Sequence, residues 1–345
     1  MPTTSSASPF RWHTLFIAAL TIGLLWWFFR DLDVREAWAA VRSAHWALIV
    51  LAVLSVGLTY VLRAWRWLIL LRPLGPARFQ TAFRTTVIGF MALALLPARL
   101  GEVLRAYLLA RREGLPPVST FATVIVERLL DMTSVLLLFA IALPLGGVEV
   151  SRSIKITSAV GGGLVAAVLF ILFLLAGHPE RIGRWAASLT RHLPQRLSEM
   201  VTHFTRTFAE GLKVMRSPGH LAVAMLWSIP VWMSIALTIW LTSRAFGLTF
   251  SIIGSFLVVG YLALGVSLPT PGGAGGFEWA YQLSVTQFFG ASEAVAKTAA
   301  IVLHLVSFGP VTIAGLILMW QDGLTLGSLK GLKAEAKAAE EVQGD

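Results

Sequence analysis

Apolar runs long enough to cross a bilayer alternate along this chain with short basic connections, and two of the runs are interrupted by proline and glycine. Trp12 to Phe29 has just the length a helix needs to span the hydrocarbon layer. A cleaved secretory signal is the competing reading. The bulky Trp26-Trp27-Phe28-Phe29, where a cleavage site takes small residues, argues against it. Arg30 to His45 reads as a charged, roughly neutral connection, and Trp46 to Leu71 as a second span, with Arg63 and Arg66 near its far end and placed to snorkel to the interface. Arg72 to Arg84 is a basic loop broken by Pro73, Gly75 and Pro76. Thr85 to Leu96 is apolar but only about two-thirds of a span, and it meets Pro97 and the charged run Arg99, Glu102, Arg105, Arg111, Arg112. A short apolar run with basic residues on both sides predicts a re-entrant pair of helices that enters and returns on the cytoplasmic side.

Val118 to Leu145 is a full span carrying Glu127, Arg128 and Asp131, and Thr157 to Ala176 is another, opened by Gly161-Gly162-Gly163. The polar connection from Gly177 to Pro218 holds seven Lys/Arg against three Asp/Glu, the balance of a cytoplasmic loop. Within it Leu197, Met200, Val201, Phe204, Phe208, Leu212 and Met215 recur at helical spacing. That suits a helix on the anionic inner leaflet, or equally one packed under the bundle. Leu221 to Thr242 spans again, with Pro230 inside it. Ile252 to Leu268 ends at Pro269-Thr-Pro-Gly-Gly-Ala-Gly-Gly-Phe-Glu278, Phe277 to Phe289 makes a second short helix, and Lys297 to Trp320 is the last span.

The order span, span, broken pair, span thus occurs twice, at about 12–145 and about 157–320. The first copy starts inside and the second outside. The predicted fold is an all-α polytopic membrane protein with about six full spans plus two re-entrant broken helix pairs in an inverted-topology repeat, or eight or more helices if the short ones are counted. Residues 1–11 are predicted to be a disordered cytoplasmic N-terminus, 12–320 a single membrane domain containing the amphipathic segment 177–218, and 321–345 a cytoplasmic tail. Both termini then lie on the cytoplasmic face of the inner membrane, as the basic loops require.

Composition agrees with the pattern: 56% of 345 residues are hydrophobic and 13% charged, outside the range of soluble domains. Cysteine is absent, which removes disulfides and thiolate chemistry. The net charge of +10 is spread between spans, not gathered in one stripe, so nucleic acid is a poor partner. The chain has no Gly-x-x-x-x-Gly-Lys-Ser/Thr phosphate loop, no His-Glu-x-x-His and no Gly-x-Ser-x-Gly, so the expectation is a transporter without an ATPase motif and not an enzyme, with no cofactor.

Broken helices at membrane depth leave backbone groups unpaired, which only protein or a watery cavity can satisfy. Pro271, Gly272, Gly273, Gly275 and Gly276 are therefore candidate substrate contacts, the helix beyond them offers its N-terminus to a phosphate, and Glu278 adds a carboxylate where it restarts. A hinge or tight helix crossing is the plainer reading of the same glycines. Arg99, Glu102 and Arg105 recur every three residues, close neighbours on a helix that begins near Leu100. Such a cluster can grip an anionic headgroup, or merely fix an interfacial loop, the reading preferred for Arg105, Arg111 and Arg112. Asp131 lies four residues from Glu127 and three from Arg128, so this one arginine neutralises one acid and leaves the other as a proton carrier or cation contact, unless the trio is purely structural. His304 reads as a hydrogen-bonded packing residue.

Three stretches, Leu96-Pro-Ala-Arg-Leu-Gly-Glu-Val-Leu-Arg105, Glu127-Arg-Leu-Leu-Asp131 and Pro269-Thr-Pro-Gly-Gly-Ala-Gly-Gly-Phe-Glu278, resemble in their order the flippase-like transmembrane family related to the membrane half of lysylphosphatidylglycerol synthase, also called multiple peptide resistance factor. The resemblance covers about Trp46 to Trp320 and implies flipping of a polar-headed lipid, phospholipid or glycolipid, between leaflets. It implies that Arg99, Glu102, Arg105, Glu127, Arg128, Asp131 and Glu278 match the family's polar positions. No synthase domain follows by Asp345, so aminoacyl transfer is not expected, and Leu93-Ala94-Leu95 stands where many members carry an asparagine. The partners this reading admits are a membrane lipid with an anionic or glycosylated headgroup, a second copy of the chain and a lipid-modifying enzyme. Two other functions fit the same pattern: a non-transporting membrane partner of such an enzyme, and a small-solute secondary transporter.

Overall fold

The computed structural model describes residues 9–30, 33–96, 100–146, 163, 167, 218–268 and 270–324, with 9–16 and 218 by backbone alone. Every regular element among them is helical: α1 (Pro9–Phe29), α2 (Val34–Ser43), α3 (Trp46–Leu71), α4 (Phe79–Leu95), α5 (Leu100–Glu113), α6 (Pro117–Leu145), α7 (Pro218–Ala245), α8 (Ser255–Val266), a 3-10 turn (Pro271–Gly273), α9 (Gly276–Phe289) and α10 (Glu293–Gln321). Trp46–Leu71, Gly219–Ala245 and Glu293–Gln321 are long and apolar enough to cross a membrane. The 29-residue α6 equals the longest of them and carries Glu127, Arg128 and Asp131. The expected span Thr157 to Ala176 and the amphipathic segment 177–218 fall almost wholly outside the described residues.

Two stretches read as connections carry helix. Helix α4 starts at Phe79, so the last six residues of the expected loop Arg72 to Arg84 are helical. The stretch read as a connection after Arg30 contains α2, because Asp33 is an effective N-cap: its Oδ1 accepts from the Arg35 and Glu36 amides at 2.7 and 3.3 Å. Val34, Ala37, Trp38 and Val41 repeat at helical spacing and line an apolar groove with Thr298, Ile301 and Val302 of α10.

Both interrupted stretches fold back as helix pairs seamed by glycine. In the first pair, a Cβ on Gly89 of α4 would sit 2.6 Å from the Arg105 Cβ and 2.9 Å from the Gly101 carbonyl of α5, and one on Gly101 would strike Gly89 and lie 2.6 Å from the Leu93 nitrogen. In the second pair, a Cβ on Gly265 of α8 would strike the Gly276 carbonyl and come within 2.7 Å of the Ala280 Cβ of α9. Small residues let backbones approach this closely where no side chain fits. At 12 residues α8 is about 18 Å long, short of the ~30 Å hydrocarbon layer.

The two pairs are held by long helices from the other half of the chain. Helix α10 packs against α4, with Gly315 over Met91, and α6 packs against α8, with Gly260 over Phe139. Helices α3 and α7 share the largest interface among the described elements. Hydroxyls tie that seam: Ser55 donates to the Ser234 carbonyl at 2.8 Å, and Thr59 and Ser234 hydroxyls pair at 2.8 Å. One apolar core surrounds α8 and α9 with α6, α7 and α10, and a second joins α5 to α3, α4 and α6.

Candidate functional site

Charged side chains from α3, α5 and α6 converge where the first helix pair meets α6. Glu127 and Asp131 lie one turn apart on α6, so both carboxylates face the same neighbours. Arg63 and Arg66, three residues apart on α3, reach across to them. Asp131 Oδ1 accepts from Arg66 Nη1 at 2.7 Å, and that nitrogen also donates to Ser228 Oγ of α7 at 2.9 Å. Asp131 Oδ2 lies 3.4 Å from both Arg63 Nη1 and Arg128 Nη1. Glu127 Oε1 is 3.2 Å from Arg66 Nη2, 3.4 Å from Arg128 Nη2 and 3.7 Å from Arg63 Nη1, while its Oε2 is 3.1 Å from Arg105 Nη2 of α5. Glu102, in the first turn of α5, is 3.6 Å from Arg128 Nε.

An aromatic floor completes the cluster. The ring of Phe90 on α4 has the guanidiniums of Arg63, Arg105 and Arg128 at 5.0, 5.7 and 5.8 Å from its centre, and Arg105 lies 4.8 Å from Trp67. Cation–π attraction of this kind strengthens as water is excluded. Trp67 is itself pinned by its indole N–H, which donates to Thr123 Oγ1 at 2.9 Å. Glu127 and Arg66 are fully buried, and isolated ions there would be prohibitively costly, so each must be matched by an opposite charge.

This arrangement corrects three expectations. Arg63 and Arg66 do not snorkel: α7 and α6 cover that end of α3, and both side chains turn inward to the acids of α6. Neither Glu127 nor Asp131 is a leftover acid, because the arginines that neutralise them come from α3 and α5 as well as from their own helix. Arg105 is not interfacial but 1% exposed, since the glycine seam draws α5 against α4 and carries it inward. Arg112, by contrast, does form an ion pair at the bundle's edge, with Asp322 at 2.6 Å, and the same carboxylate holds Arg84 at 2.6 Å. Arg99 lies outside the described residues.

The second break is built differently. Gly272, Gly273 and Gly275 take left-handed φ values of 61°, 72° and 84°, which residues with a Cβ adopt only under strain. The chain there is pressed from both sides: a Cβ on Gly275 would strike Leu24 of α1, and one on Gly272 would stand 3.5 Å from the Ala94 carbonyl and 3.7 Å from His304 Nε2. Pro271–Gly273 therefore rests on the last turn of α4, beside the first break. Glu278, the third residue of α9, accepts from the Gly275 N–H through Oε2 at 2.7 Å, which caps the helix. Its Oε1 is 2.8 Å from His304 Nδ1, though poorly aligned for a linear hydrogen bond, and His304 packs between Phe277 and Phe308.

The expected site residues thus fall into two groups. Glu102, Arg105, Glu127, Arg128 and Asp131 come together, joined by Arg63, Arg66, Ser228 and Phe90, which the sequence did not mark as site residues. Pro271, Gly272, Gly273, Gly275, Gly276 and Glu278 form the second group, in contact with the end of α4. The profile of the lysylphosphatidylglycerol synthase TM region matches residues 14–315, a stretch that takes in both groups. Among curated proteins, the glycosyltransferase AglD of Haloferax volcanii is 24% identical over 344 aligned positions, covering 91% of this chain and 55% of that protein, so the chain spans little more than half of its relative. With a family match across nearly its whole described length, and its helix pairs and buried ions inside that match, this chain belongs to the family of the lysylphosphatidylglycerol synthase transmembrane region.

Proposed function

We propose that this chain moves a polar-headed lipid, a phospholipid or a glycolipid, between the leaflets of the cytoplasmic membrane without hydrolysing ATP itself. The observation that carries this reading is the contact of the second break with the end of the helix that leads into the first, Gly272 lying against Ala94 and His304, together with the buried ions that join α3, α5 and α6. Irregular backbone is stable at membrane depth only where it is buried in protein or lines a path for polar groups. The family's name includes a phospholipid and the archaeal relative's a glycosyl transfer, so both lipid classes belong among the substrates to be tried.

An inverted repeat gives the two breaks their opposite entrances. Its support is reciprocal packing: exchanging α3–α6 for α7–α10 maps α4 on α10 onto α8 on α6, and α5 on α6 onto α9 on α10. The basic loops then place both termini in the cytoplasm. In this scheme Arg99, Glu102, Arg105, Glu127, Arg128 and Asp131 serve the headgroup from one side, and Pro271, Gly272, Gly273, Gly275, Gly276 and Glu278 from the other.

The test is reconstitution. Purified chain in liposomes should expose tail-labelled lipid of the inner leaflet to a membrane-impermeant quencher faster than protein-free vesicles do, and Gly272→Val, which fills the space between the breaks, should abolish the gain. If none of a panel of envelope phospholipids and glycolipids crosses faster than in empty vesicles, lipid translocation is wrong.

A further inference from the structure

The buried cluster is not electrically balanced. Four guanidiniums, of Arg63, Arg66, Arg105 and Arg128, meet three carboxylates, of Glu102, Glu127 and Asp131. Both oxygens of Glu127 and both of Asp131 already face arginines, and Glu102 Oε1 faces Arg128. At the other break, both oxygens of Glu278 are committed to the Gly275 amide and to His304. Among the described acids of these two sites, only Glu102 is loosely held, by its single long contact with Arg128 at 3.6 Å.

Unpaired donors outnumber unpaired acceptors: Glu102 Oε1 and Glu127 Oε2 also lack a hydrogen bond, but each already faces an arginine. Arg105 is 1% exposed, yet its Nε and Nη1 have no hydrogen-bond partner among the described residues, and neither does Arg66 Nε. A buried donor without an acceptor has lost its water for nothing, and a buried surplus cation has lost more. A phosphate oxygen is the acceptor that a guanidinium fork suits best. The way in is graded: Arg66 and Glu127 are sealed, Arg63 and Asp131 are barely open, and Glu102 and Arg128 have 14% and 22% of their side chains exposed, next to the first break.

Resting on the translocation reading above, we propose that the substrate's headgroup is net anionic, its phosphate entering past Arg128 and Glu102 to take the free edge of Arg105, and that a headgroup made cationic by aminoacylation is disfavoured. The proposal departs from the lysylated lipid in the family's name, and it follows from the charge inventory of this chain. An ammonium on the headgroup would meet the surplus positive charge of four guanidiniums with only the loosely held Glu102 to offset it. Like-charge contact of this kind suppresses binding of the wrong partner.

The experiment compares tail-labelled phosphatidic acid and phosphatidylglycerol, which are anionic, with phosphatidylethanolamine, which is zwitterionic, and lysylphosphatidylglycerol, which is cationic, each at trace level in phosphatidylcholine vesicles holding the native chain. The anionic lipids should cross at least about tenfold faster than the cationic one. Arg105→Gln should slow the anionic lipids by roughly ten- to a hundredfold, the loss of one charge-assisted contact, while Arg105→Lys recovers part of the rate. Equal rates for all lipids, or faster transfer of the cationic one, overturn the charge assignment and leave translocation standing. No transfer of any lipid overturns both. Efflux of trapped inorganic phosphate at the rate of lipid transfer would make the ligand a free anion and overturn the assignment to a lipid. If Arg105→Gln does not fold, the panel on the native chain still decides.

Discussion

Glu127→Gln removes the carboxylate with the most arginine contacts among the described residues while keeping the side chain's size. Four arginines lie within 4 Å of that carboxylate, at 3.1, 3.2, 3.4 and 3.7 Å, and the group is fully buried. Neutralising it leaves four guanidiniums against two acids. Breaking a buried ion pair from one side costs about 3–5 kcal/mol, which is roughly two to four orders of magnitude in the ratio of folded to unfolded chain. Glu102→Gln is the matched control: Glu102 is partly exposed and its ion pair with Arg128 is long, at 3.6 Å, so its loss should be about 0–1 kcal/mol. Titration with sodium dodecyl sulfate in bicelles, followed by tryptophan fluorescence and extrapolated linearly, gives both values. If the two variants lose the same stability, the acids of α6 are not the centre of the cluster and the charge argument fails with them.

Two further outcomes test the helix breaks. Gly89→Ala should destabilise by about 1–3 kcal/mol, because its methyl would press on Arg105 and on the Gly101 carbonyl, whereas Gly57→Ala, with open space around it on α3, should be neutral or slightly stabilising; thermal melts in detergent compare them. Glu278→Ala should lose about 1 kcal/mol with the cap of α9, and Glu278→Gln, whose carbonyl can still accept from Gly275, should keep most of that while losing the charge beside His304, as the same melts would register.

Helices were legible where periodicity and punctuation agreed. The limits of α3 match the apolar run, and α5 begins at Leu100 as the spacing of Glu102 and Arg105 required. The breaks were legible too, since proline and glycine leave little choice of backbone. What sequence could not supply is which arginine faces which acid. Arg66 and Asp131 are 65 positions apart, and only the packing of α3 on α6 brings them together. Arg63 and Arg66 near the end of an apolar run look like snorkelling residues to any reading that treats the helix alone. The one available signal was stoichiometric: two acids in α6 with a single neighbouring arginine call for basic partners elsewhere, and another span holds the nearest pair. The helix α2 was missed for a different reason. Six of its ten residues are apolar, but three of those six are alanine and three of the other four residues are charged, so no long hydrophobic run marks it, and the cap at Asp33 counts for more than hydropathy in so short an element.

Glu102 and Glu278 occupy the same place, the third residue of the helix that follows each break, yet they act differently. Glu278 turns back on the Gly275 N–H, and His304 takes its other oxygen, so its role is to hold an irregular backbone in place. Glu102 reaches across to Arg128 on α6 and joins a charge network. The shared pattern of proline, glycine and glutamate therefore specifies a helix that stops and restarts, and the helices packed around it specify the chemistry. Stability alone does not explain that chemistry, because well-packed apolar side chains would hold α3, α5 and α6 together at least as firmly as buried ions do. An ionic cluster with a surplus guanidinium beside one break, against a break whose acid already holds its own backbone, is therefore asymmetric, and it is on the ionic side that the proposed anionic headgroup would be held.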